Sequence, residues 1–315
     1  MMAPRVSTAI SLYNEEAVFS ELLRRLRSVL DTLPGGPHEM VFVDDGSSDG
    51  TFAMVAAAAE TDPRVVGVCL SRNFGHQAAL SAALDHCSGD AVVVMDGDLQ
   101  DPPEAIPRFL EENRKGFDVV YARRVGRKEG RVLRSCYYLF YRMIGALSSV
   151  RLPVDAGDFG LLSRRVVDRM REMGEHHRYL RGLRTWVGFR QTGIAVERSE
   201  RAGGRSQYTP RKLLRLALDG IFAFSMAPLR LATVLGLLTT VGAFLFALYA
   251  IYVKVVVGRS PLGFTAIILV VTFFSGVQLL FLGVIGEYLG RVYEETKGRP
   301  QYVVDRIVRR PRNAT

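Results

Sequence analysis

Two aspartates one residue apart, Asp96-Gly97-Asp98, carry the strongest chemical signal in the chain. They follow directly on an apolar run, Ala91–Met95, and Gly97 permits a tight turn that aims two hard oxygen ligands at one point. Such a pair suits magnesium or manganese, leaving coordination positions for phosphate oxygens and water, and Gln100 adds a neutral oxygen in the same direction. A solvated acidic loop shows the same bare pattern; the position at a strand end favours the metal.

A second cluster, Asp44-Asp45-Gly46-Ser47-Ser48-Asp49-Gly50, looks at first like a calcium loop. Counted from Asp45, however, the twelfth position is Ala56, where an EF-hand needs a bidentate glutamate, so calcium is rejected. Two readings remain, and both can hold at once. Asp45 accepts hydrogen bonds from a base or ribose while Gly46 lets backbone approach the ligand, or the cluster is an Asx and Ser turn capping a helix that starts near Thr51. Neither a Gly-x-x-x-x-Gly-Lys-Ser/Thr loop nor a Gly-x-Gly-x-x-Gly turn follows any strand, so phosphates must be held by metal and cations.

The elements that position these residues alternate short β-branched runs with helical stretches, the pattern of βαβ units around a mostly parallel sheet. Strands are predicted at Ser7–Leu12, Met40–Val43, Val65–Leu70, Ala91–Met95 and Val119–Ala122. Helical spacing covers Ala17–Leu33, Thr51–Thr61, Gln77–His86 and Pro103–Lys115, the last opening on prolines tolerated at a helix entrance. The fold class is therefore α/β, doubly wound. Ligands of such sheets sit beyond the carboxyl ends of the strands, where Tyr13-Asn14-Glu15, Asp44–Ser47, Ser71-Arg72-Asn73 and Asp96–Asp98 all fall.

Hydrophobic residues make up 48% of the 315 and mean hydropathy is +0.12, rich for a purely soluble enzyme, so part of the apolar mass must be local. It is: Leu231–Val253 and Phe264–Ile285 carry no charged residue and are each long enough to cross roughly 30 Å of hydrocarbon. Basic residues flank both spans, from Arg211 to Arg230 before and Arg291 to Arg312 after, so the positive-inside rule places both chain ends and the catalytic domain in the cytoplasm. Two further stretches, about 130–150 and 210–224, interleave arginines with apolar and aromatic residues; each reads as a membrane-interface helix or as a core helix with a basic face. The predicted organisation is a catalytic domain over 1–228, a transmembrane hairpin over 229–290 and a basic tail over 291–315. Small residues Gly276, Gly283, Gly286 and Gly290 on the second span and its extension suggest a homo-oligomer.

The net charge of +9 implies an anionic partner. Because the cations cluster beside the apolar spans, acidic lipid accounts for them better than nucleic acid, which is not expected as a partner. Cys69, Cys87 and Cys136 are widely spaced among apolar neighbours, which argues for buried, reduced thiols and against a disulfide framework or a zinc site. The N-terminal apolar run is too short for a signal-peptide core.

Five segments carry a resemblance: Ile10–Glu16, Val41–Ser47, Ser71-Arg72-Asn73-Phe74-Gly75-His76, Asp96-Gly97-Asp98-Leu99-Gln100-Asp101-Pro102-Pro103 and Asp155-Ala156-Gly157-Asp158-Phe159. With the paired membrane helices, they resemble the inverting GT-A glycosyltransferases of family 2, and within them the polyprenyl-phosphate glycosyltransferases of the dolichol-phosphate mannose synthase-like group. The resemblance implies transfer of one sugar from a nucleotide sugar, UDP-glucose ahead of GDP-mannose, to undecaprenyl or dolichyl phosphate at the cytoplasmic face of the membrane. It also implies roles. Tyr13, Glu15 and Asp45 bind the nucleoside, with Gly46, Ser47 and Asn73 beside them; Asp96 and Asp98 with Gln100 serve Mg2+ or Mn2+ and the diphosphate; Asp158 sits beside the reacting sugar; Arg123, Arg134 and Arg205 grip the acceptor phosphate. Three positions depart from the pattern. Ser11 replaces a usual proline, which is expected to alter only the strand end; Gly160 stands where an arginine is usual; and Gln207 interrupts Gly-x-Ser-Lys-Tyr. Arg201 or Arg205 is expected to supply the missing cations.

A processive polysaccharide synthase would share the aspartate pair but needs Gln-x-x-Arg-Trp and more membrane helices, and Arg184-Thr185-Trp186 does not fit that motif. A non-catalytic membrane scaffold is the other alternative, and it would show neither donor hydrolysis nor transfer.

Overall fold

The computed structural model describes residues 4–124, 156–176, 178–197, 227–257 and 263–310. Arg134, Arg201, Arg205, Cys136 and the two amphipathic stretches lie outside these residues. The described residues fall into two compact units, an α/β unit and a helical one.

The α/β unit runs in chain order β1 (Val6–Leu12), α1 (Glu16–Asp31), β2 (Glu39–Asp44), α2 (Thr51–Thr61), β3 (Val65–Leu70), α3 (His76–His86), β4 (Ala91–Asp96), a 3₁₀ turn (Pro103–Ala105) leading into α4 (Ile106–Arg114), β5 (Val119–Arg124), β6 (Ala156–Ser163), α5 (Arg164–Glu172), α6 (Leu180–Trp186) and β7 (Gln191–Val196). Every residue of β1 and β2 is buried, as expected of central parallel strands covered on both faces. Helix α1 buries Phe19, Leu22, Leu23, Leu26, Val29 and Leu30, a stripe at helical spacing whose Phe19 meets Phe42 of β2 edge-on, centroids 5.2 Å apart. Apolar residues of α1, α2 and α4 form the core on one face of the sheet, and those of α3, α5 and α6 the core on the other. The sheet is doubly wound, as expected.

Its strand order is β7-β5-β6-β4-β1-β2-β3-β8, where β8 is Val304–Arg309. Strands β3, β2, β1 and β4 are parallel, but β5 does not continue that series: β6 enters antiparallel between β4 and β5. Gly160 makes this possible, since a Cβ there would lie 2.5 Å from the Val120 carbonyl oxygen and 2.9 Å from the Tyr121 Cα. The absence of an arginine side chain at 160 thus has a steric reason. Reversal of β6 also brings its first residues, including Asp158, to the same end of the sheet as the carboxyl ends of β1 to β4.

The segment expected as a basic tail is more than that. Strand β8 (Val304–Arg309) pairs antiparallel with β3 and becomes the sheet edge. It is short and charged, as edge strands are, with only Val304 and Val308 half-buried among Asp305, Arg306 and Arg309, which hid it in the sequence.

The helical unit contains α7 (Ala227–Tyr252), which passes into a π-helical turn at Val253–Val257, and α8 (Phe264–Thr296). Both are long and apolar enough to cross a membrane, with windows of mean hydropathy 2.2 and 1.7 that are nowhere buried by protein. A core helix of a soluble protein would be covered. Helix α8 runs past the expected hairpin end at residue 290 to Thr296, with Glu287–Arg291 and Glu294–Lys297 paired along its charged last turns.

Candidate active site

The four polar clusters do converge at the carboxyl ends of β1 to β4, where Ser11 and Asp96 stand opposite each other in register, as do Leu12 and Asp44. The β4 turn is close-packed: a Cβ on Gly97 would lie 2.3 Å from the Leu12 Cδ2 and 2.9 Å from the Ser11 carbonyl oxygen. Leu99, at φ +60°, holds a left-handed conformation that a leucine adopts only under tertiary constraint, here its own burial. The turn therefore presents Asp96 and Asp98, both partly exposed, in a fixed frame, and Gln100 donates its backbone N–H to Asp98 Oδ1 at 3.1 Å.

The turn after β2 has a structural role in addition to the expected one. Asp45 is buried, and its two carboxylate oxygens accept the backbone N–H groups of Phe74 (2.7 Å) and Gly75 (2.9 Å). Burial raises its pKa, offset only in part by those two amides. Gly46 has φ +68°, and its missing Cβ admits the chain itself, since Arg72 C and Asn73 N would stand 2.6 and 2.7 Å away. Asp45 and Gly46 thus shape the Ser71–Gly75 loop from within. The turn reading holds as well: Ser47 N–H donates to Asp44 Oδ2, and Asp49 accepts from Thr51. Tyr13 is half exposed at the end of β1, Asn73 is exposed, and Glu15 immediately precedes α1. Arg123 is an exposed residue of β5.

The centre of the site is a charged constellation that motif reading only half revealed. Asp158, on β6, is almost fully buried and takes the two-pronged guanidinium of Arg181 from α6, at 2.7 and 2.8 Å. This is the bidentate geometry for which arginine is suited. His76, first residue of α3, directs Nε2 toward Asp96 Oδ1 (3.4 Å) and Asp158 Oδ2 (3.9 Å), while its Nδ1 lies 3.0 Å from Ser11 Oγ. Ser11 therefore does more than alter a strand end: a hydroxyl can donate to or accept from Nδ1, so it orients the ring in either protonation state. Gln77 Oε1 accepts the Leu180 N–H at 2.9 Å and so ties the first turn of α6 to that of α3.

The electrostatics follow from this packing. Burial pushes the Asp158 carboxyl up, but the His76 and Arg181 hydrogen bonds and charges outweigh it and hold the group far below the usual carboxylate range. Burial likewise pushes His76 down, and is outweighed by the Asp158 contact and the charges of Asp96 and Asp158, leaving its pKa raised. One helical turn beyond Arg181, Arg184 is buried over the Tyr121 ring, its guanidinium carbon 5.3 Å from the centroid, with no hydrogen bond to Nε or Nη2. Burial lowers its pKa to about 10, so it remains a cation at neutral pH. Arg201 and Arg205 lie outside the described residues, while Arg181 and Arg184 are cations of the site that motif reading did not name. Their spacing in Leu180-Arg181-Gly182-Leu183-Arg184 was a visible signal, but nothing local says that β6 lies opposite.

Among the described residues no three His, Cys, Asp or Glu side chains form a ready-made metal cage. A donor set of two carboxylates and an amide at a strand end instead fits a hard divalent cation that completes its shell with substrate phosphate and water.

The family model for glycosyl transferase family 2 matches residues 7–171, spanning β1 to α5 and hence every element of the site except α6. The chain belongs to that family. This glycosyltransferase is 41% identical over 301 residues to the uncharacterized glycosyltransferase YkcC of Bacillus subtilis, covering 95% of this chain and 93% of that one. It is 38% identical over 301 residues to the bactoprenol glucosyl transferase of Shigella phage SfX, covering 95% and 98%. Among solved structures it is similar to the mannosyltransferase PcManGT from Pyrobaculum calidifontis, determined with GDP-Man and Mn2+: TM-score 0.48, 23% identity, 71% of this chain and 64% of that one.

Proposed function

We propose that this glycosyltransferase moves a single sugar, glucose from UDP-glucose, onto the phosphate of a polyprenyl phosphate, with inversion at the anomeric carbon, at the cytoplasmic face of the membrane. The observation that carries the reading is the joining of Asp96 to Asp158 through His76, with Arg181 fixing Asp158 from behind. Similarity to a bactoprenol glucosyl transferase over nearly the whole chain supplies the acceptor class.

The residues divide the work. Tyr13, Glu15 and the Ser71–Gly75 loop flank the nucleoside end, with Asn73 exposed on that loop. Asp96, Asp98 and Gln100 would hold Mg2+ or Mn2+, whose charge stabilises the departing diphosphate. His76 and Arg181 hold the Asp158 carboxyl below the usual carboxylate range, which makes it a poor base, so its part is to orient the sugar and face the positive charge that develops at the anomeric carbon. No base is required: a phosphate monoester, with a second pKa of about 6, is already a nucleophile at neutral pH. In this reading Arg123, an exposed residue of β5, grips the acceptor phosphate together with Arg134, Arg201 and Arg205. Helices α7 and α8 anchor the enzyme beside its lipid acceptor, with both chain ends cytoplasmic.

Thermal shift of the purified protein against a panel of nucleotide sugars with Mn2+ tests the donor. A selective rise with UDP-glucose is expected, by RT ln(1 + [L]/Kd). Stabilisation by GDP-mannose instead would overturn the sugar assignment, and no stabilisation by any donor would overturn the enzyme reading.

A further inference from the structure

The segment that follows α8 returns to the α/β unit and grips the outer edge of the donor loop. Antiparallel pairing of β8 with β3 runs from Val66↔Arg309 to Cys69↔Arg306, then shifts register, so that Leu70 faces Val304 with Asp305 the extra residue. A bulge of this kind re-aims a strand end. Here it carries the pairing past β3 into the loop, where Ser71 donates its N–H to the Val303 carbonyl oxygen at 2.9 Å.

Side chains fasten the same segment on three sides. The Tyr302 hydroxyl donates to Asp85 Oδ2 on α3 at 2.6 Å, with its ring and Val304 packed against the core of that face. Gln301 donates through Nε2 to the Glu175 carbonyl oxygen. Arg306 lies over the Phe52 ring of α2, 4.7 Å from its centroid. Val308 fills the space above Gly67, where a Cβ would come within 2.6 Å of its Cγ2.

The Ser71–Gly75 loop is thus held from two directions. Inside, Arg72 and Asn73 press on Gly46, and the Phe74 and Gly75 amides bind Asp45; outside, Val303 holds Ser71. The loop runs straight into His76, which faces Asp96 and Asp158. We propose that residues 301–304 are positioning residues for the donor-nucleotide loop, so that the stretch of chain leaving the second apolar helix sets donor affinity without touching the donor. This rests on the nucleotide-sugar reading above.

The test uses full-length protein carrying Tyr302→Phe, which keeps the ring and deletes the hydroxyl, beside a chain ending at Gly298. Hydrogen exchange over 71–75, and KM for UDP-glucose and for polyprenyl phosphate, are read on both. Faster exchange at 71–75 with unchanged exchange in β1 and β2 is expected, with donor KM raised about three- to ten-fold for Tyr302→Phe, the effect of one hydrogen bond, and acceptor KM unmoved. Exchange and donor KM at wild-type values in folded Tyr302→Phe overturn the proposal, as does an equal rise in both KM values. If the truncated chain does not fold, Tyr302→Phe decides alone. Failure of wild-type protein to bind any nucleotide sugar would instead strike the function reading, and the exchange result would still judge the brace.

Discussion

Replacing Arg181 by methionine keeps the aliphatic stem and removes the fork that holds Asp158. The carboxylate is 7% exposed and the guanidinium 27%, so the pair is partly buried. Removing one partner of a buried pair costs about 3–5 kcal/mol. With Arg181 partly solvated and His76 and Arg184 still near, about 2 kcal/mol is expected, a fall of roughly 4–8 °C in melting temperature for a unit of this size. The larger effect is on catalysis: a carboxylate free to turn away misplaces the sugar by about 1 Å, on the order of a 100-fold loss in kcat. The pH profile separates this from simple destabilisation. Arg181 depresses the Asp158 pKa, so the functional anion persists to low pH in the wild type; without the fork, burial raises that pKa and the acid limb of kcat moves to higher pH. His76, Arg184, Asp96, Tyr121 and Tyr179 are the other groups around this pair; losing the Arg181 charge also removes its lowering effect on His76 and Arg184, which leaves both more firmly cationic. Arg181→Lys should recover part of the rate, one ammonium replacing one prong of two. A folded Arg181→Met enzyme with kcat within about twofold of wild type and an unmoved acid limb would refute the assignment.

Asp98→Asn should abolish transfer while leaving the melting temperature unchanged, measured by product formation and differential scanning; full activity would sink the metal role of the aspartate pair. Gly97→Ala should destabilise by about 1–3 kcal/mol and raise donor KM, because the new methyl meets the immovable Ser11 carbonyl at 2.9 Å; melting curves and donor titration check both. Burial raises the Asp62 pKa, but hydrogen bonds from Arg64 and Arg27 outweigh it and leave the group below its ordinary value, so its stabilisation is present above about pH 4 and lost as pH falls through the lower folded value. Melting temperatures of wild type and Asp62→Asn should therefore differ at pH 7 and converge toward pH 3.

The parallel core was legible in the sequence because β2 and β4 are built on unbroken apolar runs, Met40–Val43 and Ala91–Met95, while β1 keeps short apolar residues around Ser7, Thr8 and Ser11. The Asp96–Asp98 turn was legible for the same reason: a strand end is easy to locate when the strand is uniform. What escaped depends on pairings remote in sequence. Strand β6 owes its place to Gly160 closing on β5, and β8 owes its place to Gly67 and the unfilled edge of β3. Neither carries a local pattern. Asp45 was legible as a functional carboxylate, but its backbone partners were not, since the amides it binds belong to residues some thirty positions on. His76 was in view within a motif, but only the fold sets it between Asp96 and Asp158. Arg181 had a visible spacing to Arg184, but only the packing of α6 against β6 makes it a site residue.

The most direct measurement of the central claim is incubation of the purified full-length protein with UDP-glucose, Mn2+ and undecaprenyl phosphate, followed by mass and anomeric analysis of the lipid product. The account predicts one hexose on the lipid phosphate, UDP released in equal amount, and an anomeric configuration opposite to that of the donor. Retained configuration, a lipid bearing several sugars, or UDP release without any lipid product would contradict it.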